Sequence, residues 1–168
     1  MRISRLYKIF PVLLISLCFS ARAQEKEGWQ FDSLNAKPTT GKSDAQVINE
    51  LLLGMLDAWN SHDIERYLSV YWHSPELLFI VDSEQFNGWQ QLHDSYLSGY
   101  PDRSSMGFCS SSRCQVRLLK PDLALALTWW SVTFPKSKQK VVGNTTINLQ
   151  KFDDGWKIIA SHSSTAEM

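Results

Sequence analysis

Residues 123–134 read Leu-Ala-Leu-Ala-Leu-Thr-Trp-Trp-Ser-Val-Thr-Phe, and both parities of this run are substantially apolar. Leu123, Leu125, Leu127 and Trp129 fall on one face of a strand, while Ala124, Ala126, Trp130, Val132 and Phe134 fall on the other. A strand of that kind is covered on both sides. The same two-residue period marks residues 115–119 before it and residues 140–152 and 156–163 after it. Pro121-Asp122, residues 135–138 and Asp153-Asp154-Gly155 supply the turns, the last being the strongest hairpin signal in the chain. Four strands in succession make an antiparallel meander.

Upstream the period is helical. Ser43-Asp44-Ala45-Gln46 fits a capping box, in which the serine hydroxyl takes a free amide of the first turn and Gln46 reaches back. Val47, Ile48, Leu51, Leu52, Met55, Leu56 and Trp59 then form one apolar stripe that ends at Asn60-Ser61-His62. Asp63 caps a second predicted helix with the stripe Ile64, Tyr67, Leu68, Tyr71 and Trp72, closed by Pro75. Residues 77–81 suit a short strand. Asn87-Gly88 introduces a third helix carrying Trp89, Leu92 and Tyr96, stopped by Gly99 and Pro101. Helices first and antiparallel strands after predict an α+β fold with the helices on one face of the sheet. Helices cover one face only, so the other is expected to meet a second copy of the chain. The expected arrangement is a homodimer through the sheet face, with Trp130, Val132 and Phe134 turned toward the partner.

The chain has 168 residues with 17 Lys+Arg and 17 Asp+Glu, but Arg2, Arg5, Lys8 and Arg22 lie in the first 23, where no acid balances them. The remainder, 13 basic against 17 acidic, carries no clustered basic stripe, which excludes nucleic acid as the main partner. Arg2, Arg5 and Lys8 precede the apolar run from Ile9 to Phe19, which leads to Ala21-Arg22-Ala23. Residues 1–23 therefore read as a signal peptide cleaved after Ala23, giving a secreted or periplasmic protein with no membrane association after cleavage. Residues 24–42 mix charge, Gly and Pro without periodicity and read as a flexible arm, leaving residues 43–168 as the domain. Export permits disulfides. If the segment between Cys109 and Cys114 turns, the two can bridge; if it runs as extended strand, they stand too far apart.

Several short stretches now combine. Ala58-Trp59-Asn60 with Asp63, Gly88-Trp89, Tyr100-Pro101-Asp102-Arg103, and Gly155-Trp156-Lys157-Ile158 running to His162-Ser163-Ser164 span nearly the whole predicted domain. In this order the chain resembles the nuclear transport factor 2-like, or SnoaL-like (ketosteroid-isomerase-like), superfamily. Within it the chain is most similar to an uncharacterised, exported, association-domain-like branch whose last strand reads W-x-I-x-x-x-H-x-S, here Trp156, Ile158, His162 and Ser164. The resemblance implies a cone-shaped fold, three N-terminal helices packed on a curved antiparallel sheet. It also brings several activities, among them ketosteroid isomerisation, polyketide cyclisation, dehydration, kinase assembly and plain binding, and fold alone does not choose among them. The isomerase mechanism needs a carboxylate base and acidic hydroxyls around an enolate oxygen. The matching positions here carry Met55, Phe79 and Asn148, so that mechanism is disfavoured.

If the last strand alternates regularly, Trp156, Ile158, Ala160 and His162 share the face that looks into the cone. His162 is then the candidate catalytic acid-base. The candidate ligand pocket comprises Trp59, Tyr67, Trp72, Trp89, Tyr96, Trp129, Ser131, Asn144 and His162: apolar walls with a few polar tips, suited to a small apolar or amphipathic molecule. No sequence spacing suits a metal, and no glycine loop, dinucleotide fingerprint, G-x-S-x-G or H-E-x-x-H is present, so no cofactor is expected. Three readings follow. The first is an exported binding domain, the second a cofactor-free SnoaL-type isomerase, cyclase or dehydratase using His162, and the third an oligomer-assembly module.

Overall fold

The structure is a computed structural model and describes residues 29–34, 41–134 and 137–167. The expected signal peptide and its expected cleavage site lie outside the described residues. Seven strands form one sheet in the order β1-β4-β5-β6-β7-β2-β3. They are β1 (Gln30–Leu34), β2 (Leu78–Val81), β3 (Glu84–Asn87), β4 (Phe108–Lys120), β5 (Leu123–Phe134), β6 (Gln139–Phe152) and β7 (Gly155–Glu167). The helices are α1 (Asp44–Asn60), α2 (Ile64–Leu68) and α3 (Trp89–Gly99). The fold is α+β on a curved sheet.

Helix α1 starts where the capping box places it. Ser43 Oγ accepts from Gln46 N at 3.3 Å, and Ser43 N donates to Gln46 Oε1 at 2.8 Å. Its stripe lands on the sheet: Ile48 and Leu52 join Val116, Ala124, Ala126, Leu149 and Ile158 in one buried core. The small Ala124 and Ala126 sit under the helices, where close approach leaves no room for leucine. Leu125, Leu127 and Trp129 stay half-buried on the outer face. This reverses the expected sidedness of β5, because two apolar parities do not by themselves say which one the helices cover. Val132 is buried, and by strand parity it and Trp130 share the side of Ala124 and Ala126.

Helix α2 is a single turn and not the longer helix expected. After Leu68 the chain straightens, Ile158 N donating to Val70 O and Trp72 N to Ile158 O, both at 2.9 Å, so residues 70–72 run beside β7. Residues with high strand preference, Val70, Tyr71 and Trp72, take the ladder on offer in place of another helical turn. The arm is corrected too. Residues 30–34 add a parallel strand to the edge of β4, from Gln30 opposite Arg113 to Leu34 opposite Arg117. Phe31 and Trp29 pack on the core, and Trp29 Nε1 donates to Asn49 Oδ1 at 3.1 Å. Five residues are too few to show a period, and what places them is the open edge of β4.

Three extra residues interrupt the regular pairing of the sheet, one of them Leu119, left over where Leu118 pairs with Ala124 but Lys120 with Leu123. Ser111 pairs with Trp130 but Arg113 with Trp129, leaving Ser112 over in β4. Asn148 pairs with Ala160 but Leu149 with Ile158, leaving Ile159 over in β7. Each bulge switches the side-chain parity of its strand. In β4 the switch turns both Cys109 and Cys114 inward. They are free thiols on an extended strand, not a disulfide; five residues at roughly 3.3 Å each hold them far beyond bridging distance. Burial pushes both thiols up to about 12, so neither is a thiolate near neutral pH. A thiol reagent is therefore expected to label Cys109 and Cys114 slowly in the native protein and fully after denaturation. Peptide mapping checks this, and a Cys109–Cys114 linked peptide would contradict it.

Candidate functional site

The space between helices and sheet holds a connected set of seven rings. Trp59 meets Tyr67, Tyr96 and Tyr100 edge-on at centroid distances of 5.4, 6.4 and 5.0 Å. Tyr71, Phe79 and Phe86 extend the set inward, Tyr71 touching Phe79 at 6.0 Å and Phe79 touching Phe86 at 5.8 Å. The Trp59-Asn60 pair at the end of α1 fixes one side of this cluster. Trp59 Nε1 donates to Gly107 O at 2.7 Å. The Asn60 side chain clasps Cys109, Nδ2 donating to its carbonyl and Oδ1 accepting from its amide, each at 2.8 Å. One dipeptide thus anchors the start of β4 to the helix.

Polar atoms inside the cluster are few and all weak acids. The hydroxyls of Tyr67 and Tyr96 bond at 3.2 Å. Loss of water raises the Tyr67 and Tyr96 phenols well above their ordinary range and lifts Tyr71 to about 12. The Ser161 hydroxyl lies beside Tyr71 and eases that group's ionisation, yet no donor or acceptor stands in hydrogen-bonding geometry to its buried oxygen. Among the described residues no carboxylate is buried; every Asp or Glu is exposed except the half-buried Asp44. At neutral pH the hydroxyls of this cluster keep their protons and can donate hydrogen bonds.

The candidate residues separate into three places. Trp59, Tyr67 and Tyr96 meet in the ring cluster. Trp72 and Trp89 line a depression of about 320 Å³ that meets the cluster at Tyr71, with Ser69, His73, Phe152, Asp154 and Lys157. Trp129, Ser131 and Asn144 line an open trough of about 590 Å³ across β4 to β7, with Ser110 and Ser164. Trp129 lies there under the Arg113 guanidinium, 4.9 Å from its centroid, and Ser131 Oγ bonds Ser110 Oγ at 3.0 Å. These two residues stand on the outer face, not in the cone, as the sidedness of β5 requires.

His162 is the main correction. The Ile159 bulge turns Ser161 inward, 3% exposed, and leaves His162 exposed on the outer face. Its Nε2–H donates to Asp82 O at 3.2 Å, while the Asp82 carboxylate accepts from Thr165 N and Thr165 Oγ1 at 2.8 and 2.7 Å. The imidazole therefore fastens the β2–β3 turn to β7. Interior residues that the candidate pocket did not include are Tyr71, Phe79, Tyr100, Cys109 and Ser161. The four-residue spacing of Tyr67 and Tyr71 was a signal for the first of these; nothing short of the bulge reveals Ser161. Among the described residues no three His, Cys, Asp or Glu side chains gather closely enough to hold a metal ion.

The model of the SnoaL-like domain matches residues 48–168. A nuclear transport factor 2-like protein of unknown function from Shewanella oneidensis is 30% identical, with 70% of this chain and 95% of that one covered and a TM-score of 0.65. A domain of unknown function with a cystatin-like fold from Nostoc punctiforme is 20% identical, with 74% and 78% covered and a TM-score of 0.63. A putative calcium/calmodulin-dependent protein kinase II association domain from Xanthomonas campestris is 20% identical, with 78% and 92% covered and a TM-score of 0.58. No curated protein matches the sequence. The match over residues 48–168 takes in the Trp59-Asn60 clasp, the ring cluster and both bulged strands, and the chain belongs to the SnoaL-like domain family of the nuclear transport factor 2-like superfamily.

Proposed function

We propose that this chain is an exported small-molecule-binding domain. Its ligand is small, largely apolar, and carries an acceptor oxygen that enters among the Tyr67, Tyr71 and Tyr96 hydroxyls. The observation that carries the reading is Ser161 Oγ, buried and unpaired beside those phenols. A buried polar atom without a partner costs about 1–3 kcal/mol unless something satisfies it. Tyr67, Tyr96 and Tyr100 are only half-buried, so the rings that close the interior are also its entrance. Binding is favoured over isomerase-type chemistry because the neighbouring groups are neutral donors and His162 points elsewhere. A pair of chains joined through the outer sheet face belongs to the same proposal, supported by the half-buried stripe Leu125, Leu127 and Trp129.

Acetophenone, an apolar ring with one carbonyl oxygen, separates the readings. It is expected to bind, and Tyr71→Phe is expected to weaken it about threefold to tenfold, the worth of one neutral hydrogen bond. Exchange of its methyl protons with deuterated water is expected to run no faster than in buffer. Accelerated exchange that Tyr71→Phe abolishes would establish acid-base catalysis instead. Failure of this and other apolar carbonyl probes to bind, with dimerisation intact, would leave assembly as the function.

A further inference from the structure

Outside the ring cluster, Trp72 and Trp89 line one depression, and each is held from behind by another ring. Trp72 stacks on Phe152 at 5.7 Å and 23°. Trp89 lies between His73, at 4.1 Å, and His93, at 4.8 Å and 24°. His93 is itself fixed, with Nε2 3.0 Å from Glu65 Oε1 and Nδ1 3.4 Å from Asp94 Oδ1. The backbone sets both indoles as well. Trp72 N donates to Ile158 O and Trp89 N to Ser74 O, each at 2.9 Å. Gly88, at φ +81°, passes so close to Pro75 that a Cβ would stand 3.1 Å from its Cα.

Trp89 packs against the main core and Trp72 stands outside it, yet both remain half-buried. Rigid aromatic walls bind at low cost in conformational entropy. We propose that this depression, which shares only Tyr71 with the phenol cluster, is a second binding site for a small planar aromatic acid. The ring of the ligand lies against Trp72 on the face that Phe152 does not cover, with Trp89 beside it, and its carboxylate meets Lys157. The charge balance favours an anion. The Lys157 side chain is 26% exposed and that of its partner Asp154 is 70% exposed, so the carboxylate sits largely in water and its influence is screened. Lys157 Nζ is 3.3 Å from Asp154 Oδ2 and 3.4 Å from Ser69 O, two long contacts that leave a third N–H for a ligand oxygen. An ammonium ligand would be repelled by the same group. The volume, about 320 Å³, suits one or two fused rings and is too small for a folded partner.

The test follows the indole N–H resonances of the full chain by two-dimensional NMR during titration with indole-3-acetate, with tryptamine as the cationic counterpart. The acid is expected to shift the Trp72 and Trp89 resonances saturably and leave Trp59 and Trp156 in place, while tryptamine moves none of them. Lys157→Met is expected to weaken the acid about tenfold, the worth of one charged hydrogen bond, and Lys157→Arg to retain it. Equal responses to acid and amine, shifts at Trp59 in place of the pair, an affinity indifferent to Lys157→Met, or no saturable shift at millimolar acid would each overturn the proposal. Because Trp59 reports on the phenol cluster and Trp72 and Trp89 on this depression, failure at one site is distinguishable from failure at the other.

Discussion

Replacing Trp156 by alanine is expected to cost about 3–5 kcal/mol of folding free energy, a large part of the roughly 5–15 kcal/mol that a domain of this size has. The side chain is 3% exposed and belongs to the main core. It also makes the bond that ties the start of α1 to the β6–β7 hairpin. Trp156 Nε1 donates to Asp44 Oδ1 at 3.0 Å, and Lys151 Nζ reaches the same oxygen at 2.8 Å. Those two bonds, that of Lys151 first, lower the Asp44 pKa from its usual value. A carboxyl depressed in the folded state contributes stability that is present above its unfolded pKa of about 3.9 and is lost as pH falls through the folded value. Trp156→Phe keeps most of the burial and removes one bond, so its acid transition should shift less steeply with pH than that of the parent. Urea unfolding at neutral pH measures the first effect, and thermal midpoints between about pH 2 and pH 5 measure the second. An acid limb identical in Trp156→Phe and the parent would remove the indole from the account.

Gly143→Ala is expected to destabilise by about 1–3 kcal/mol, although alanine normally improves on glycine within a strand by about 0.5–1 kcal/mol. The reversal follows from close approach. A Cβ at this position would stand 2.5 Å from Ser164 O and 2.6 Å from Trp130 Cζ2. The Trp130 indole lies across Gly143 to reach Thr145 Oγ1 at 2.9 Å, and Thr145 Oγ1 bonds Ser163 Oγ at 2.7 Å, a polar thread over three strands. In a Trp130→Val background the penalty should shrink but persist, because the Ser164 carbonyl cannot move away without breaking the β6–β7 ladder. A double-mutant cycle separates the two contributions. No loss in the single variant would mean that the indole and the strand give way freely.

The parts of the fold legible in the sequence are those governed by local rules. Ser43 and Gln46 announce α1 because the cap is a contact within four residues, and β5 begins at Leu123 because the Pro121-Asp122 turn precedes it. What escaped depends on partners far along the chain. Tyr71 carries helical spacing but yields to hydrogen bonds with Ile158, and Gln30–Leu34 become a strand only because β4 offers an edge. The site suffered most from a single residue. With Ile159 inserted, the alternation that runs through Trp156 and Ile158 passes to Ser161, and His162 leaves the interior. Trp59, Tyr67 and Tyr96 were readable because one helical face carries each of them inward, whereas Trp129 and Ser131 needed the sidedness of a strand apolar on both faces.

The ends of the strand order are two short strands, Gln30–Leu34 and Glu84–Asn87, and the second carries exposed Glu84, Gln85 and Asn87. Short polar margins offer little template for lateral growth, which is how open sheets seed fibres. In the pairing proposed through the broad outer face, a twofold contact would use up its own surface and stop at two chains. The architecture thereby favours a finite particle over an endless one.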